Sequence, residues 1–417
     1  MDFAPSPRSQ EWLQRLQRFM DDLVLPSMAD WHRYADAGVH PLDVLEPLKA
    51  QARRAGLWNL CLPSLDDRQP GTRLSNLDYA ALAEAMGRVP WSAEVFNCNA
   101  PDSGNMELLM RFANPAQREQ WLDPLLAGTI RSCFAMSEPD VASSDPTQLE
   151  TSLRPEGEHL VLNGRKWFIT GATHPLCRLV MVMARHDGSG DAHRRHSIVL
   201  LPRDTPGLHI ERNIPVMDHL APEGHAELVL RNVIVHPDQI LGEPGAGFAL
   251  AQARLGPGRL HHGLRAIGQC ELALELMCER ALERRSFGAR LADQANIQEW
   301  IARSRIEIDQ ARWLALHAAW CLDQDDPRAT RGPIAALKVV TAQLQTQVLD
   351  RAIQVFGAMG LSPDTPLARA WAWGRALHLL DGPDEVHLRS LAREELRQAQ
   401  TRRGANAAHL RRWCPPA

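Results

Sequence analysis

The segment HLVLNGRKWFITG (His159–Gly171) lies where a helix-forming sequence becomes a strand-forming one. Apolar and β-branched residues stand on both sides of Asn163-Gly164, a dipeptide typical of two-residue hairpin turns. We therefore predict a strand, a turn at Asn163-Gly164 and a second strand.

Further strand-forming runs follow this segment. They are LVMVMARH (Leu179–His186), HSIVLLPR (His196–Arg203) and AELVLRNVIV (Ala226–Val235). The stretches between them are rich in turn residues, and no 12-residue helical pattern intervenes. The pattern predicts an antiparallel β-domain and argues against a βαβ unit of the Rossmann type.

Helical spacing of apolar residues precedes and follows this β-domain. It is clear in Glu11–Pro26 and Leu77–Val89, and again in the long runs Leu272–Phe287, Trp300–Leu322 and Ala335–Gly360. The second set is long enough for a helical bundle. We predict an α+β protein with an N-terminal α-helical domain (1–130), a β-domain (131–242) and a C-terminal four-helix bundle (243–417).

The composition favours a soluble globular protein over a membrane-spanning one. Hydrophobic residues make up 45% and charged residues 23% of the 417 residues, and no apolar stretch is long enough to span a membrane. The net charge of -4 argues against nucleic-acid binding. The 8 cysteines form no CxxC pair, which is typical of a reducing compartment. We find no targeting segment and predict a cytoplasmic location.

Five short motifs occur in a fixed order along the chain. They are CFAMSEPDVASSD (Cys133–Asp145), LNGRKWFITG (Leu162–Gly171), RALERRSFG (Arg280–Gly288), RAIQVFGAMGL (Arg351–Leu361) and LLDGPDEVH (Leu379–His387). Together with the α, β, α order they resemble the acyl-CoA dehydrogenase family over about residues 10–397. EPDVASSD, QARLGPGR and DGPDEVH are most similar to the subgroup that is fused, in animals, to a kinase-like domain of the aminoglycoside phosphotransferase type.

The resemblance implies FAD as cofactor and an acyl-CoA thioester as substrate. Removing hydrogen from Cα and Cβ requires a hydride acceptor, which no side chain provides, and a carboxylate that takes the Cα proton. The match places this base at Asp381. Taken alone, Asp381-Gly382 is more typical of an ordinary turn pair, and it is the motif match that favours the base. The usual base of the family is Glu, so an Asp requires its backbone to lie about 1.5 Å closer to the substrate.

The resemblance also implies residues for the flavin ring. They are Phe134, Met136 and Ser137 along the ring edge, Phe168 stacking on it and Thr170 hydrogen-bonding to it. Trp167 is adjacent to Phe168, and the alternation of side chains along a strand predicts that it turns to the opposite face and packs there.

The rest of FAD is expected at the C-terminal bundle. Arg284 and Phe287, three residues apart near a helix end, are predicted to share a face and hold the diphosphate. In the family, the residues that match Gln354 and the Gly357-Ala358 backbone come from a partner subunit, so a homodimer or homotetramer is implied.

For CoA, the match implies contacts from Ser144 and Arg259, with Gly382 leaving room for the thioester. Asp384 and Glu385 are predicted to be solvated or to lie on the adenine side. Adjacent residues on a helix point about 100° apart, so His261 and His262 make a poor metal pair, and we predict no metal.

Three functions remain open at this stage. The first is dehydrogenation of an acyl-CoA with an electron-transfer flavoprotein as the acceptor. The second is flavin-assisted elimination or isomerisation of a 4-hydroxy- or 4-phospho-acyl-CoA, suggested by the kinase association of the subgroup. The third is a non-catalytic protein that binds flavin or nucleic acid.

Overall fold

The fold is described from a computed structural model, which describes residues 4–186, 191–324 and 326–402. Cys414 and the end of the predicted bundle therefore lie outside the described residues. The helices of the first part are α1 (Pro7–Phe19), α2 (Met28–Asp36), α3 (Leu42–Arg54), α4 (Asn76–Gly87), α5 (Ser92–Val95), α6 (Asp102–Phe112), α7 (Pro115–Gln117) and α8 (Asp123–Leu126). Their apolar faces form one core with the C-terminal helices.

The middle of the chain forms one sheet. Its strands are β1 (Arg131–Ala135), β2 (Ser152–Glu156), β3 (His159–Thr170), β4 (Cys177–His186), β5 (His196–Pro202), β6 (Leu208–Asn213) and β7 (His225–Val235). The strand order is β1-β4-β2-β3-β7-β6, and β5, which lies outside this order, also pairs with β4. Most pairs are antiparallel, but β1–β4 and β2–β4 are parallel, so the sheet is mixed and not purely antiparallel.

The predicted turn at Asn163-Gly164 is wrong. Strand β3 continues through both residues, and the tight connection is at Gly157-Glu158, between the paired residues Glu156 and His159. Gly164 is required for packing, because a Cβ there would lie 2.4 Å from the Thr151 hydroxyl. The dipeptide marks a register shift in β3 and not its end.

Long helices return after the sheet. They are α9 (Gly247–Glu283), α10 (Ala295–Asp323), α11 (Pro327–Phe356), α12 (Leu367–Leu377) and α13 (Asp384–Thr401), with a two-stranded ribbon, β8 (Arg285–Ser286) and β9 (Ala289–Arg290), after α9. Helices α9, α10 and α11 pack on one another, and α12 and α13 pack against α11. None of the helices in the described ranges is long and apolar enough to cross a membrane.

Helices α4 and α9 join the first and last parts of the chain through a close backbone contact. A Cβ on Gly268 would lie 1.9 Å from the carbonyl oxygen of Glu84, and a Cβ on Gly87 would lie 2.2 Å from that of Arg265. Only glycine fits at both positions. The loops from α8 to β1 and from β7 to α9 contain the domain boundaries that we propose, after residues 130 and 242.

We predict that Gly268→Ala lowers the free energy of unfolding by roughly 1–3 kcal/mol, because the methyl group forces α4 and α9 apart. Gly258→Ala is the matched control on the same helix, since a Cβ there meets open space. It should stabilise the protein by about 0.5–1 kcal/mol. Thermal unfolding of both variants measures the difference, and equal effects would contradict the close crossing.

Candidate active site

A cleft of about 3190 Å³ runs between the sheet, α9, and the segment that joins α12 to α13. Nine of the predicted site residues line it: Phe134, Met136, Ser137, Ser144, Phe168, Thr170, Arg259, Asp381 and Gly382. The structure therefore brings the predicted base and the predicted ring contacts to the walls of one cavity.

Asp381 lies in a strained turn between α12 and α13. Its φ angle is 54° and that of Gly382 is 96°, values that Asp tolerates better than most residues and Gly adopts freely. Its carbonyl oxygen accepts hydrogen bonds from Arg259, through Nε at 3.1 Å and Nη2 at 2.8 Å. The ring of His387 contacts the same oxygen at 3.2 Å. The turn is thus fixed from two helices.

The side chain of Asp381 faces the cleft and is paired. Its Oδ2 lies 2.8 Å from Nδ1 of His262, and about a quarter of the side chain, 23%, is exposed. Burial works to raise the pKa of Asp381, but His262, Arg259 and Arg254 outweigh it and hold that pKa well below its usual value. The carboxylate is therefore ionised at neutral pH and able to accept a proton.

Sequence reasoning considered His262 only as a metal ligand and missed its contact with Asp381. His261, its neighbour, points into the core, where neither ring nitrogen has a hydrogen-bond partner among the described residues and the ring lies 5.1 Å from that of Tyr79. Burial lowers the pKa of His261 to about 3. His262 is separated from Arg254 and from Gln269 by spacings that put all three polar residues on one face of α9, and all three line the cleft. This spacing is the sequence signal that could have identified His262.

Arg254 is a second cleft residue that the sequence did not reveal. Its guanidinium lies 4.4 Å from the centre of the Phe134 ring, and its Nε donates to Oδ1 of Asn105 at 2.8 Å. Burial lowers the pKa of Arg254, although Asp381 and Glu107 act to raise it. The guanidinium of Arg254 adds positive charge to the cleft and interacts electrostatically with Asp381.

The aromatic pair Trp167–Phe168 departs from strand alternation. Phe168 has a φ angle of 52°, and the register of β3 shifts between Lys166 and Ile169. Both rings consequently line the cleft, with centroids 5.0 Å apart, so the prediction that Trp167 turns away is wrong. Phe168 is 44% exposed, which leaves an aromatic face open to a planar ligand.

Lys166 supports this wall from behind. It is fully buried, and its Nζ donates to the Met136 carbonyl at 2.9 Å and to Oε1 of Glu138 at 2.8 Å. Glu138 also accepts from the backbone N–H groups of Glu150 and Thr151 at 2.7 and 2.9 Å. Burial lowers the pKa of Lys166 to about 8, and Glu138 opposes that shift. The pair fixes the backbone that follows β1.

The remaining predicted residues do not meet this cleft within one chain. Arg284, Phe287, Gln354, Gly357 and Ala358 are exposed and lie outside it. The prediction that the first two share a helix face is wrong, because α9 ends at Glu283 and Phe287 lies in the β8–β9 turn with a φ angle of 51°.

Asp384 was predicted to be solvated or close to adenine, and the structure corrects the first alternative. Its carboxylate is mostly buried and contacts Nζ of Lys338 at 2.6 Å and Nδ1 of His378 at 2.5 Å. Burial works to raise the pKa of Asp384, but these two partners lower it overall. Glu385 is exposed.

One cluster in the described ranges has metal-ligand chemistry. His40, Glu94 and His174 offer ligand atoms within 4.8 Å of one another. However, Nη1 of Arg131 lies 2.7 Å from Oε1 of Glu94 and already balances its charge. The backbone N–H of Leu176 donates to Nδ1 of His174, so Nε2 carries the proton and faces Glu94. The expectation of no metal stays a prediction.

Comparison with known proteins gives matches along nearly the whole chain. Residues 6–129, 133–233 and 245–396 match the N-terminal, middle and C-terminal domains of acyl-CoA dehydrogenase. "Probable acyl-CoA dehydrogenase FadE2" of Mycobacterium tuberculosis is 48% identical over 405 residues, which cover 95% of this chain and 97% of that protein. "Acyl-CoA dehydrogenase family member 11" of the rat is 42% identical over 94% of this chain.

The chain spans about half the length of several curated relatives, 51% in the case of the rat protein. Among solved structures, an acyl-CoA dehydrogenase homologue from Mycobacterium abscessus has a TM-score of 0.90 at 46% identity, covering 95% of this chain and 99% of that one. Butyryl-CoA dehydrogenase from Megasphaera elsdenii has a TM-score of 0.82 at 24% identity, covering 95% and 100%. The second likeness shows the fold alone.

We predict that Lys166→Met destabilises the protein by roughly 3–5 kcal/mol, because Glu138 is left as a buried carboxylate without its cation. The double variant Lys166→Met/Glu138→Gln should recover part of this loss, since it removes the uncompensated charge. Thermal unfolding of the two variants tests the pair. Equal stability of the single and double variants would show that Glu138 does not depend on Lys166.

Proposed function

Because the chain belongs to the acyl-CoA dehydrogenase family, whose members are FAD-dependent oxidoreductases, we propose that it converts an acyl-CoA into the 2,3-enoyl-CoA. The observation that carries this proposal is the carboxylate of Asp381, paired with His262, in the cleft that also contains the exposed ring of Phe168.

The residues of the cleft wall fit a flavin. The open face of Phe168 suits an aromatic ring system, and Met136 and Ser137 line the same cleft. The Thr170 hydroxyl, 3.0 Å from Nδ1 of His225, is a further hydrogen-bonding group. Bound there, FAD supplies the hydride acceptor that the chain itself lacks.

Asp381 is the proposed base. Its carboxylate takes the Cα proton of the thioester, and the electrons of the broken C–H bond enter the new double bond as the hydride leaves Cβ. The backbone N–H of Asp381 donates to no acceptor within the described residues, so it is available to polarise the thioester carbonyl. Gly382 has no side chain to obstruct the thioester.

Arg259 and Ser144 are assigned different tasks. The guanidinium of Arg259 is engaged by the Asp381 carbonyl, so we assign it to holding the base and not to direct contact with CoA. Ser144 is exposed on the loop between β1 and β2 and lines the cleft. We assign it to the pantetheine side, where a hydroxyl can bind an amide.

A homo-oligomer completes the proposed FAD site. Arg284 and Phe287 follow the end of α9, while Gln354, Gly357 and Ala358 lie at or just after the end of α11, and all five are exposed and outside the cleft. In this proposal, the diphosphate and adenine of FAD bind a second surface outside the cleft. We propose that the partner subunit provides it, in a dimer or tetramer, and that an electron-transfer flavoprotein reoxidises the flavin.

One observation favours a second candidate function. Arg254 places a cation in the cleft, and a plain fatty acyl chain offers it no opposite charge. Flavin-assisted elimination or isomerisation of a 4-hydroxy- or 4-phospho-acyl-CoA would use such a cation to bind the polar substituent. A non-catalytic role is the weaker alternative, because an ionised carboxylate paired with a histidine in an open cleft is an arrangement suited to proton transfer.

We expect saturated acyl-CoAs to bleach the flavin of the wild-type protein under anaerobic conditions. Asp381→Asn should slow this bleaching by about 10²–10⁴-fold, because the amide cannot accept a proton at neutral pH. Flavin absorbance during titration with a panel of chain lengths is the measurement. Equal bleaching in both proteins would exclude Asp381 as the base. Consumption of a 4-phospho-acyl-CoA without net bleaching would favour elimination.

We also predict that Phe287→Ser weakens self-association and FAD retention together. The side chain is fully exposed, at 104%, so its removal should leave the stability of one subunit unchanged within about 0.5 kcal/mol. Sedimentation analysis and flavin content of the purified protein are the measurements, with Leu396→Ser on α13 as an exposed apolar control. Unchanged association and flavin content would contradict the partner-subunit site.

A further inference from the structure

We propose that His262 is the positioning residue of the base, holding one carboxylate oxygen of Asp381 so that the other faces the thioester. This inference rests on the proposed role of Asp381 and adds a residue to it. Neither the sequence motifs nor the expected metal chemistry assign His262 such a task.

One helix holds Asp381 at two points. Arg259 and His262 are three residues apart on α9 and therefore project from the same face. Arg259 binds the carbonyl oxygen of Asp381, and Nδ1 of His262 lies 2.8 Å from its Oδ2. The backbone and the side chain of Asp381 are thus fixed by the same rigid element, which leaves little freedom for rotation of the carboxylate.

The hydrogen bond leaves Asp381 with one free oxygen. In the described residues, Oδ1 accepts no hydrogen bond, whereas Oδ2 contacts Nδ1 of His262. With Nδ1–H donating to Oδ2, the proton taken from Cα binds Oδ1. The N–H···Oδ2 hydrogen bond survives in both protonation states, but it is stronger to the carboxylate. His262 therefore keeps the geometry throughout the reaction and favours the ionised base.

The location of His262 distinguishes it from a core histidine. Its side chain is 20% exposed and lines the cleft, whereas His261 is buried against Tyr79. The carboxylate of Asp381 is carried on a single methylene, so a small rotation of the turn moves the oxygen away from Cα.

Several charged groups face Asp381 from the elements packed around it, and they share the control of its charge. They are Arg254, Arg259 and His262 on α9, Lys338 on α11, and Asp384 and His387 on α13. Lys338 is engaged by Asp384 at 2.6 Å, and the guanidinium of Arg259 binds the Asp381 backbone. Within the described residues, His262 is the one among them that touches the carboxylate of Asp381.

The test isolates proton removal from hydride transfer. A 3-thia-acyl-CoA carries sulfur in place of Cβ, so its Cα proton can be removed but no hydride can leave. Exchange of this proton with deuterated solvent is followed by mass spectrometry in the FAD-loaded protein. The variants are His262→Ala, His262→Asn and Asp381→Asn. His209→Ala, exposed on β6 and outside the cleft, is the control.

We expect His262→Ala to slow exchange on the order of 10- to 100-fold, because the carboxylate is no longer held in place. His262→Asn should restore much of the rate, since its amide N–H lies near the position of Nδ1. The thioester KM and the flavin content should stay near wild type. His209→Ala should behave as wild type in every assay.

The pH profile separates positioning from a general loss of structure. Asp381 must be ionised to act, and His262 helps to keep its pKa low. Loss of His262 raises that pKa, so the acidic limb of the exchange profile should move to higher pH in His262→Ala. A structural role alone would lower flavin content and stability without moving the limb.

The outcomes separate this inference from the proposed function. Wild-type rate and pH profile in His262→Ala would overturn the role of His262 and leave dehydrogenation intact. Exchange in the wild type without bleaching by any saturated acyl-CoA would overturn dehydrogenation and leave the Asp381–His262 pair intact. Exchange in Asp381→Asn at the wild-type rate, or none in the wild type, would overturn both.

Discussion

The contact between α4 and α9 is the constraint on which the rest of the structure depends. Gly87 and Gly268 let the two helices meet backbone to backbone, which joins the N-terminal helices to the C-terminal bundle in one core. Because α9 is 37 residues long, fixing it at this crossing also fixes the direction of its N-terminal half. That half forms one wall of the cleft.

The chemistry of the cleft follows from that wall. Arg254, Arg259 and His262 project from α9 toward the turn that carries Asp381. The opposite wall includes strand β3, whose irregular register exposes Phe168. A rigid helix and a locally distorted strand thus place a base and an aromatic surface in one cavity. A base held by rigid elements stays aligned with its substrate, whereas a mobile base would slow the reaction.

The ends of α9 and α11 belong to a different environment. The residues that the resemblance assigned to FAD there are exposed, and the side chain of Phe287 does not pack into the core of its own subunit. An apolar side chain that is fully exposed loses the hydrophobic contribution that burial would give, unless another surface covers it. Burial against the proposed partner subunit would explain why this group of residues is exposed in a single subunit.

The sequence by itself determined the α, β, α order, the family, and the presence of Asp381 in the cleft, because these depend on local periodicity and on short motifs. It failed at Asn163-Gly164 and at Trp167, where turn propensity and strand alternation were overridden by packing against Thr151 and by the left-handed backbone of Phe168. Only the tertiary structure decided that His262 touches Asp381, since the two are 119 positions apart, and such a contact depends on how separate helices pack.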